Sequence, residues 1–124
     1  MTGASQRGLA AQARGVHAEA LARDALQRDG WTILGQRLRT EAGEIDIAAE
    51  RDGLLALVEV KARASLALAA ASLQKRQQAR LLAAAEILLA RNPDWGRNGS
   101  RIDVMVVDAA GRIRRITDAV RAWD

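Results

Sequence analysis

The fold is decided by the stretch from Glu44 to Lys61, which reads Glu-Ile-Asp-Ile-Ala-Ala-Glu-Arg-Asp-Gly-Leu-Leu-Ala-Leu-Val-Glu-Val-Lys. Asp52 and Gly53 separate two segments in which apolar residues alternate with other residues. This pattern predicts a β-hairpin whose loop consists of only those two residues. The stretch therefore predicts two adjacent antiparallel strands.

The register of this hairpin determines which polar side chains meet. Counting back from the two-residue loop places Asp46 opposite Glu59, and Glu44 opposite Lys61, with all four on one face because side chains alternate along a strand. The other face takes the apolar residues Ile45, Ile47, Val58 and Val60. A three-residue loop with a glycine bulge would instead shift the pairing and scatter the charged residues over two faces.

Two facing carboxylates require a proton, a cation or free water between them. About 5 Å apart, at an effective dielectric constant of about 20, they repel by roughly 3 kcal/mol. Mg²⁺ accepts two carboxylate oxygens together with a backbone carbonyl and waters. Lys61 would then lie where it can orient or deprotonate a metal-bound water. The alternative is the solvated polar face of an ordinary hairpin.

Lysine is rare in this chain. Lys61 and Lys75 stand against seventeen arginines. Lysine can shift its pKa and take part in proton transfer, whereas arginine stays charged. A lysine beside two carboxylates is therefore less typical of an interchangeable surface cation.

The composition is that of a globular domain with a basic balance. Of the 124 residues, 49% are hydrophobic and 27% are charged, with a net charge of +4. One domain is expected, and the excess of arginine fits a phosphate-rich partner such as DNA. Cysteine is absent, which excludes disulfides and thiolate metal sites and favours a cytoplasmic location. We expect residues 1–13 to form a flexible leader and residues 14–124 to form the domain.

The order of the predicted elements indicates an α/β fold. Helices are expected from about Gly15 to Asp29 and from about Leu73 to Arg91, the second capped by Ser72. Outside the hairpin, strands are expected over Trp31–Arg39, Arg101–Asp108 and Arg112–Thr117, followed by a terminal helical turn. The prediction is a mixed sheet of about five strands flanked by helices, in the order α-β-β-β-α-β-β. The longest apolar run is too short to cross a membrane, so no membrane association is expected.

Basic residues on three predicted elements are candidates for contact with a nucleic-acid backbone. They are Arg63 after the hairpin, Lys75, Arg76 and Arg80 on the second helix, and Arg114 and Arg115 on the last strand. Each group has a second interpretation: a solvated helix face, or charges that keep an edge strand from pairing with other chains.

Three motifs follow one another along the chain. Glu19 lies on the first predicted helix, Gly43-Glu44-Ile45-Asp46 opens the hairpin, and Val58-Glu59-Val60-Lys61 closes it. This order resembles the PD-(D/E)XK nuclease superfamily, and the two hairpin motifs with Arg63 closely resemble its YraN family of small bacterial proteins. The resemblance runs from about Gly15 to the end of the chain. The proline of the superfamily pattern is replaced by Ile45, and no substrate-recognition insertion is evident.

The resemblance implies a restriction-endonuclease-like fold and roles for individual residues. Asp46 and Glu59 would hold one or two Mg²⁺ (or Mn²⁺) ions, with the backbone carbonyl of Val60 as a further ligand. Lys61 would act on the attacking water, and Glu19 matches an acid that reaches the site in junction-resolvase-like members. Those relatives act as symmetric pairs, so a homodimer is an open alternative.

Three functions are compatible with these observations. The first is a metal-dependent endonuclease that hydrolyses phosphodiester bonds in branched, flapped or otherwise structured DNA. The second is a non-catalytic DNA-binding or repair-accessory protein that retains the nuclease fold. The third, which we rank last, is a structural or protein-interaction domain whose acidic residues are merely solvated.

Overall fold

The computed structural model describes residues 3–66 and 74–120, with the side chains of the first helix described from residue 15 onward. Its elements are α1 (Gly3–Arg28), β1 (Thr32–Thr40), β2 (Gly43–Arg51), β3 (Leu54–Ala62), α2 (Lys75–Arg91), β4 (Ser100–Val107) and β5 (Ile113–Val120). The order α-β-β-β-α-β-β confirms the predicted α/β class and the mixed sheet flanked by helices.

The sheet has five strands in the order β1-β2-β3-β4-β5. Neighbouring strands are antiparallel except for β3 and β4, which are parallel. Parallel neighbours need a long crossover connection, and α2 lies within it. The carboxyl ends of β3 and β4 therefore lie at the same edge of the sheet, where ligands commonly bind in α/β folds.

The loop between β2 and β3 confirms the predicted two-residue hairpin. Arg51 pairs with Leu54, and the two residues between them have positive φ angles, 53° at Asp52 and 78° at Gly53. This combination suits the right-handed twist of the flanking strands. This turn fixes the register as far as Ile47 and Val58, one residue short of Asp46 and Glu59.

Both faces of the hairpin are covered, which corrects the expectation of one apolar and one polar face. One core contains Leu55 and Leu57 with residues of α2, and the other contains Ala56 and Val58 with residues of α1. A central strand pair with a helix on each side is apolar on both faces.

The predicted apolar face of β2 is also divided between these two cores. Ile45 packs in the α2 core, whereas Ile47 packs in the α1 core, so the alternation of side chains changes at Asp46 between them. On β1, Arg37 lies between the partners of Ile45 and Ile47 and has a φ of 50°. The backbone of β1 thus departs from regular strand geometry beside the point where the alternation on β2 changes.

Element boundaries differ from the prediction at three places. Helix α1 begins at Gly3 rather than near Gly15, so residues 3–13 of the expected leader are helical. Helix α2 begins at Lys75, and the predicted cap Ser72 lies outside the described residues. Strand β5 continues to Val120 where a helical turn was expected, because the backbone N–H of Asp118 donates to the buried carboxylate of Asp103 at 2.9 Å.

Candidate active site

The candidate site lies where β2 and β3 stop pairing. The described ladder ends at Ile47 and Val58. One residue further on, Oδ2 of Asp46 accepts the backbone N–H of Val60 at 2.7 Å. The carboxylate thus takes the place of a strand partner, and the two strands separate around it.

The structure brings together the two acids that the hairpin register aligned. The side chains of Asp46 and Glu59 are hydrogen-bonded to each other, and Glu59 is buried, with 6% of its surface exposed. The predicted facing of Glu44 and Lys61 is not part of the described ladder. Glu44 instead lies within 3.9 Å of Nε of Arg39 on β1.

The pKa of Asp46 is raised to about 8, first by burial and then by the hydrogen bond and the negative charge of Glu59. The N–H of Val60 and the positive charge of Lys61 act in the opposite direction. Two carboxyl groups this close cannot both ionise without a compensating charge. A proton or a divalent cation supplies that charge, so this donor pair fits a hard cation such as Mg²⁺.

The pair is not part of a larger cluster of metal-binding side chains. In residues 3–66 and 74–120, no group of three or more His, Cys, Asp or Glu side chains could hold a metal ion. A cation at this site would have two carboxylate ligands and would take its remaining ligands from waters and a backbone carbonyl such as that of Val60. Mg²⁺ is often bound by so few protein groups.

An arginine of α2 already contacts one of the two acids. NH2 of Arg80 lies 3.3 Å from Oε2 of Glu59. Gly43 leaves the room for this arginine, because a Cβ atom there would lie 2.9 Å from Cδ of Arg80. The φ of Gly43 is 145°, which also favours glycine. The Gly of the Gly43-Glu-Ile-Asp motif thus has a structural role in positioning Arg80.

Lys61 is half-buried near the end of β3, and the charges of Glu59 and Asp46 affect the pKa of its amine. Burial lowers the pKa of its amine, the charge of Glu59 raises it, and the guanidinium of Arg63 lowers it. The net direction is below the ordinary value. A lysine with a lowered pKa is better able to accept a proton than an exposed one.

Glu19 of α1 is close enough to Asp46 to influence its charge. Burial raises the pKa of Glu19, and the charge of Asp46 raises it further. The carboxylate also lies 3.5 Å from Nε of Arg37, which lowers the pKa. The first helix therefore adds a third carboxylate at the margin of the site.

The predicted nucleic-acid-binding residues are divided among three places. Arg80 contacts Glu59 and Arg63 lies near Lys61, while Lys75 and Arg76 are exposed at the start of α2. On the edge strand β5, alternation gives the two arginines different environments. Arg114 is exposed, and the neighbouring arginine points inward.

Arg115 is held in an internal network that sequence reasoning missed. Its NH2 lies 3.0 Å from the fully buried carboxylate of Asp103, and its guanidinium lies 4.8 Å from the ring centre of Trp31. Arg101 also contacts Asp103, at 3.0 Å. The signal for this network was an aspartate inside an otherwise apolar strand, which requires charged or hydrogen-bonded partners when buried.

Comparison with known proteins identifies the family. The matching family model is described as uncharacterised protein family UPF0102 and covers residues 18–107, a range that includes Glu19, Asp46, Glu59 and Lys61. The chain belongs to this family. UPF0102 is the YraN family, so the predicted family resemblance is confirmed.

Relatives match over most of their length. A UPF0102 protein of Granulibacter bethesdensis is 59% identical over 115 residues, covering 93% of this chain and 73% of the relative. A UPF0102 protein of Azorhizobium caulinodans is 45% identical over 118 residues, covering 95% of this chain and 90% of the relative. A UPF0102 protein of Acidiphilium cryptum is 43% identical, covering 100% of this chain and 99% of the relative.

None of the helices in the described part of the chain is both long and apolar enough to cross a membrane.

Proposed function

We propose that this UPF0102 protein is a metal-dependent endonuclease that hydrolyses phosphodiester bonds in branched, flapped or otherwise structured DNA. The observation that carries the proposal is the pair of half-buried Asp46 and buried Glu59, hydrogen-bonded to each other, with Lys61 beside them. Such a pair is destabilising unless a proton or cation lies between the carboxylates.

Each residue has a distinct role in this proposal. Asp46 and Glu59 would hold Mg²⁺ or Mn²⁺ together with the carbonyl of Val60. The bound metal would supply Lewis-acid stabilisation of the phosphate charge and would acidify a bound water. The amine of Lys61, whose pKa is lowered by burial, would orient the attacking water and take up its proton. Glu19 would orient water or a second cation at the margin of the site.

Cleavage of a DNA flap tests this proposal. The parent protein in Mg²⁺ or Mn²⁺ should cut a labelled flap, and Lys61→Ala should reduce the rate by at least about 100-fold while retaining DNA binding. Arg97→Ala is the matched control, because Arg97 is an exposed cation in the loop before β4. Equal cleavage by Lys61→Ala and the parent would refute the proposal.

A second candidate is a DNA-binding or repair-accessory protein that does not cleave. The contact between Arg80 and Glu59 favours it, because a guanidinium already compensates one acid without any metal. DNA binding should then persist in a chelator, weaken steeply with salt and be insensitive to Lys61→Ala, with no cleavage by the parent in either metal.

A further inference from the structure

A cavity lies next to the candidate active site, at the carboxyl ends of the parallel strands β3 and β4. Its volume is about 430 Å³, within the range of small-molecule sites. Ala62 and Arg63 form part of its lining, directly after Lys61 in the chain. Side chains alternate along a strand, so Ala62 faces α1 and Lys61 faces α2, and the cavity lies across the end of β3 from the amine proposed to act on the attacking water. Arg63 connects the two, because it lines the cavity and its charge also lowers the pKa of Lys61. We call it the β3–β4 pocket.

The walls of the β3–β4 pocket are mainly small and apolar, with two planar polar groups. Four alanines leave the space open: Ala18, Ala62, Ala64 and Ala109. His17 of α1 and Arg63 contribute an imidazole ring and a guanidinium. NH1 of Arg63 donates to the carbonyl of Ala62 at 2.8 Å, which restrains the guanidinium near the strand end.

The pocket is built on fixed backbone. The N–H of Arg63 donates to the carbonyl of Val107 at 3.0 Å, which holds the ends of β3 and β4 together. Asp108, also in the lining, accepts the backbone N–H groups of Ala110 at 3.0 Å and Arg112 at 2.8 Å. Its carboxylate is therefore used to order the loop after β4, and its charge is compensated by Nε of Arg112 at 2.8 Å.

We propose that the β3–β4 pocket receives an unpaired nucleobase of the DNA strand whose phosphodiester lies at the acid pair. This inference rests on the proposed function and defines the substrate class more closely. A nucleobase is flat, with apolar faces and polar edges, and these features match alanine walls with an imidazole and a guanidinium at the margin. Arg63 is positioned for the adjoining phosphate, since guanidinium groups bind phosphate oxygens in pairs.

The consequence is a preference for DNA that already contains an unpaired nucleotide. Removing a base from a continuous duplex costs a few kcal/mol of pairing and stacking, and least when the base is unpaired at the outset. A flap or a bulge supplies such a nucleotide beside the junction, whereas an uninterrupted duplex must be opened. The pocket would thus select structured DNA without a separate recognition insertion.

Fluorescence of 2-aminopurine tests the proposal independently of cleavage. The probe is a flap oligonucleotide with 2-aminopurine at the first unpaired position, compared with the fully paired duplex, in a chelator so that no strand is cut. With the parent protein, we expect a change in fluorescence at the unpaired base and about tenfold tighter binding of the flap than of the duplex.

Two neighbouring substitutions make the test specific. Ala109→Leu fills the pocket from an exposed loop position, and Ala110→Leu adds the same side chain one residue further on, also exposed but outside the lining. We expect Ala109→Leu to abolish the fluorescence change and the preference for the flap, and Ala110→Leu to retain both. Thermal unfolding of both variants verifies that they fold.

The outcomes separate this proposal from the proposed function. The pocket proposal is overturned if the parent gives no fluorescence change, does not bind the flap, or binds the duplex as tightly as the flap. It is also overturned if Ala109→Leu behaves as the parent. Each of these results counts against the pocket even when cleavage is observed. If the fluorescence response depends on the open pocket but the parent cleaves nothing in Mg²⁺ or Mn²⁺, the nuclease proposal fails and base capture stands.

Discussion

At the scale of single residues, Asp46 combines two roles. Its carboxyl accepts the N–H of Val60 at 2.7 Å in place of a strand carbonyl and shares a hydrogen bond with Glu59. An ionised or a protonated Asp46 can accept the N–H of Val60. The hydrogen bond with Glu59, in contrast, requires a proton between the two acids when no metal is bound. The metal-free fold is therefore stabilised by protonation at this position.

This protonation predicts a specific dependence of stability on pH. The pKa of Asp46 is raised from 3.8 to about 8, so its favourable contribution is complete below about pH 4 and is lost as the pH rises toward 8. Asp46→Asn mimics the protonated acid, because its amide can donate to Glu59 and its oxygen can accept from Val60. In a chelator at pH 8, we expect this variant to be more stable than the parent by at least about 1 kcal/mol.

Urea unfolding of both proteins from pH 5 to pH 9 measures this effect. The difference in unfolding free energy should grow with pH and level off above about pH 8. Asp94→Asn, at an exposed position in the loop after α2, should show no such trend. A constant difference between Asp46→Asn and the parent across this range would contradict the shared proton.

Gly43 provides a second prediction at the residue scale. Gly43→Ala would place a Cβ atom 2.9 Å from Cδ of Arg80, at a φ of 145° that alanine rarely adopts. We expect a loss of about 1 to 3 kcal/mol of stability, measured by denaturant unfolding. Gly15→Ala is the control, because nothing lies within 4 Å of its Cβ position and alanine favours the helix. Equal effects of the two substitutions would contradict the packing of Arg80 over Gly43.

At the scale of elements, β4 and β5 are joined by a charged network as well as by backbone pairing. Arg115 contacts the buried Asp103 and the ring of Trp31. Arg115→Ala should therefore destabilise the fold by about 3 kcal/mol, because it leaves a buried carboxylate with fewer partners. Arg114→Ala, at the exposed neighbouring position, should change stability by no more than about 0.5 kcal/mol.

Thermal unfolding and DNA binding measured on both variants distinguish the two arginines. If Arg114 contacts a DNA backbone, its removal should weaken binding and reduce the salt dependence without affecting stability. If Arg114→Ala and Arg115→Ala destabilise the fold by similar amounts, the contacts of Arg115 with Asp103 and Trp31 add nothing measurable to the free energy of unfolding.

The hairpin was predictable because its determinants are local. Asp52-Gly53 favours a loop with two positive φ angles, and this loop fixed the register as far as Ile47 and Val58. The start of α1 was not predictable in the same way. Gly3, Gly8 and Gly15 weaken helix propensity, and no acidic residue in the first turn marks Gly3 as a helix start.

At the scale of the whole molecule, contacts between distant elements set the properties of the site. The contact of Arg80 with Glu59 joins α2 to β3, and the influence of Asp46 on Glu19 joins α1 to β2. A sequence pattern aligns Asp46 with Glu59 through the hairpin, but it does not show which helix face covers them. The division of Ile45 and Ile47 between two cores was missed for the same reason.

The same scale relates the acid pair to the pocket. Both lie at the carboxyl end of β3, with α2 on one side of the sheet and α1 on the other. The pair supplies the candidate chemistry, and the β3–β4 pocket supplies the candidate selection of substrate. The acid pair is formed by β2 and β3 with a contact from α2, and the pocket is formed by β3 and β4 with residues of α1. Both features therefore depend on the folded sheet with its two helices.

The central claim is that Asp46 and Glu59 bind a divalent cation, and the thermal midpoint with and without millimolar Mg²⁺ or Mn²⁺ tests it most directly. A ligand that binds only the folded state raises stability with its concentration. We predict that the midpoint of the parent rises by several degrees and that Glu59→Gln loses this rise, while Glu86→Gln, at an exposed position on α2, retains it. A parent midpoint that neither metal changes, or a rise that Glu59→Gln retains in full, would contradict the account.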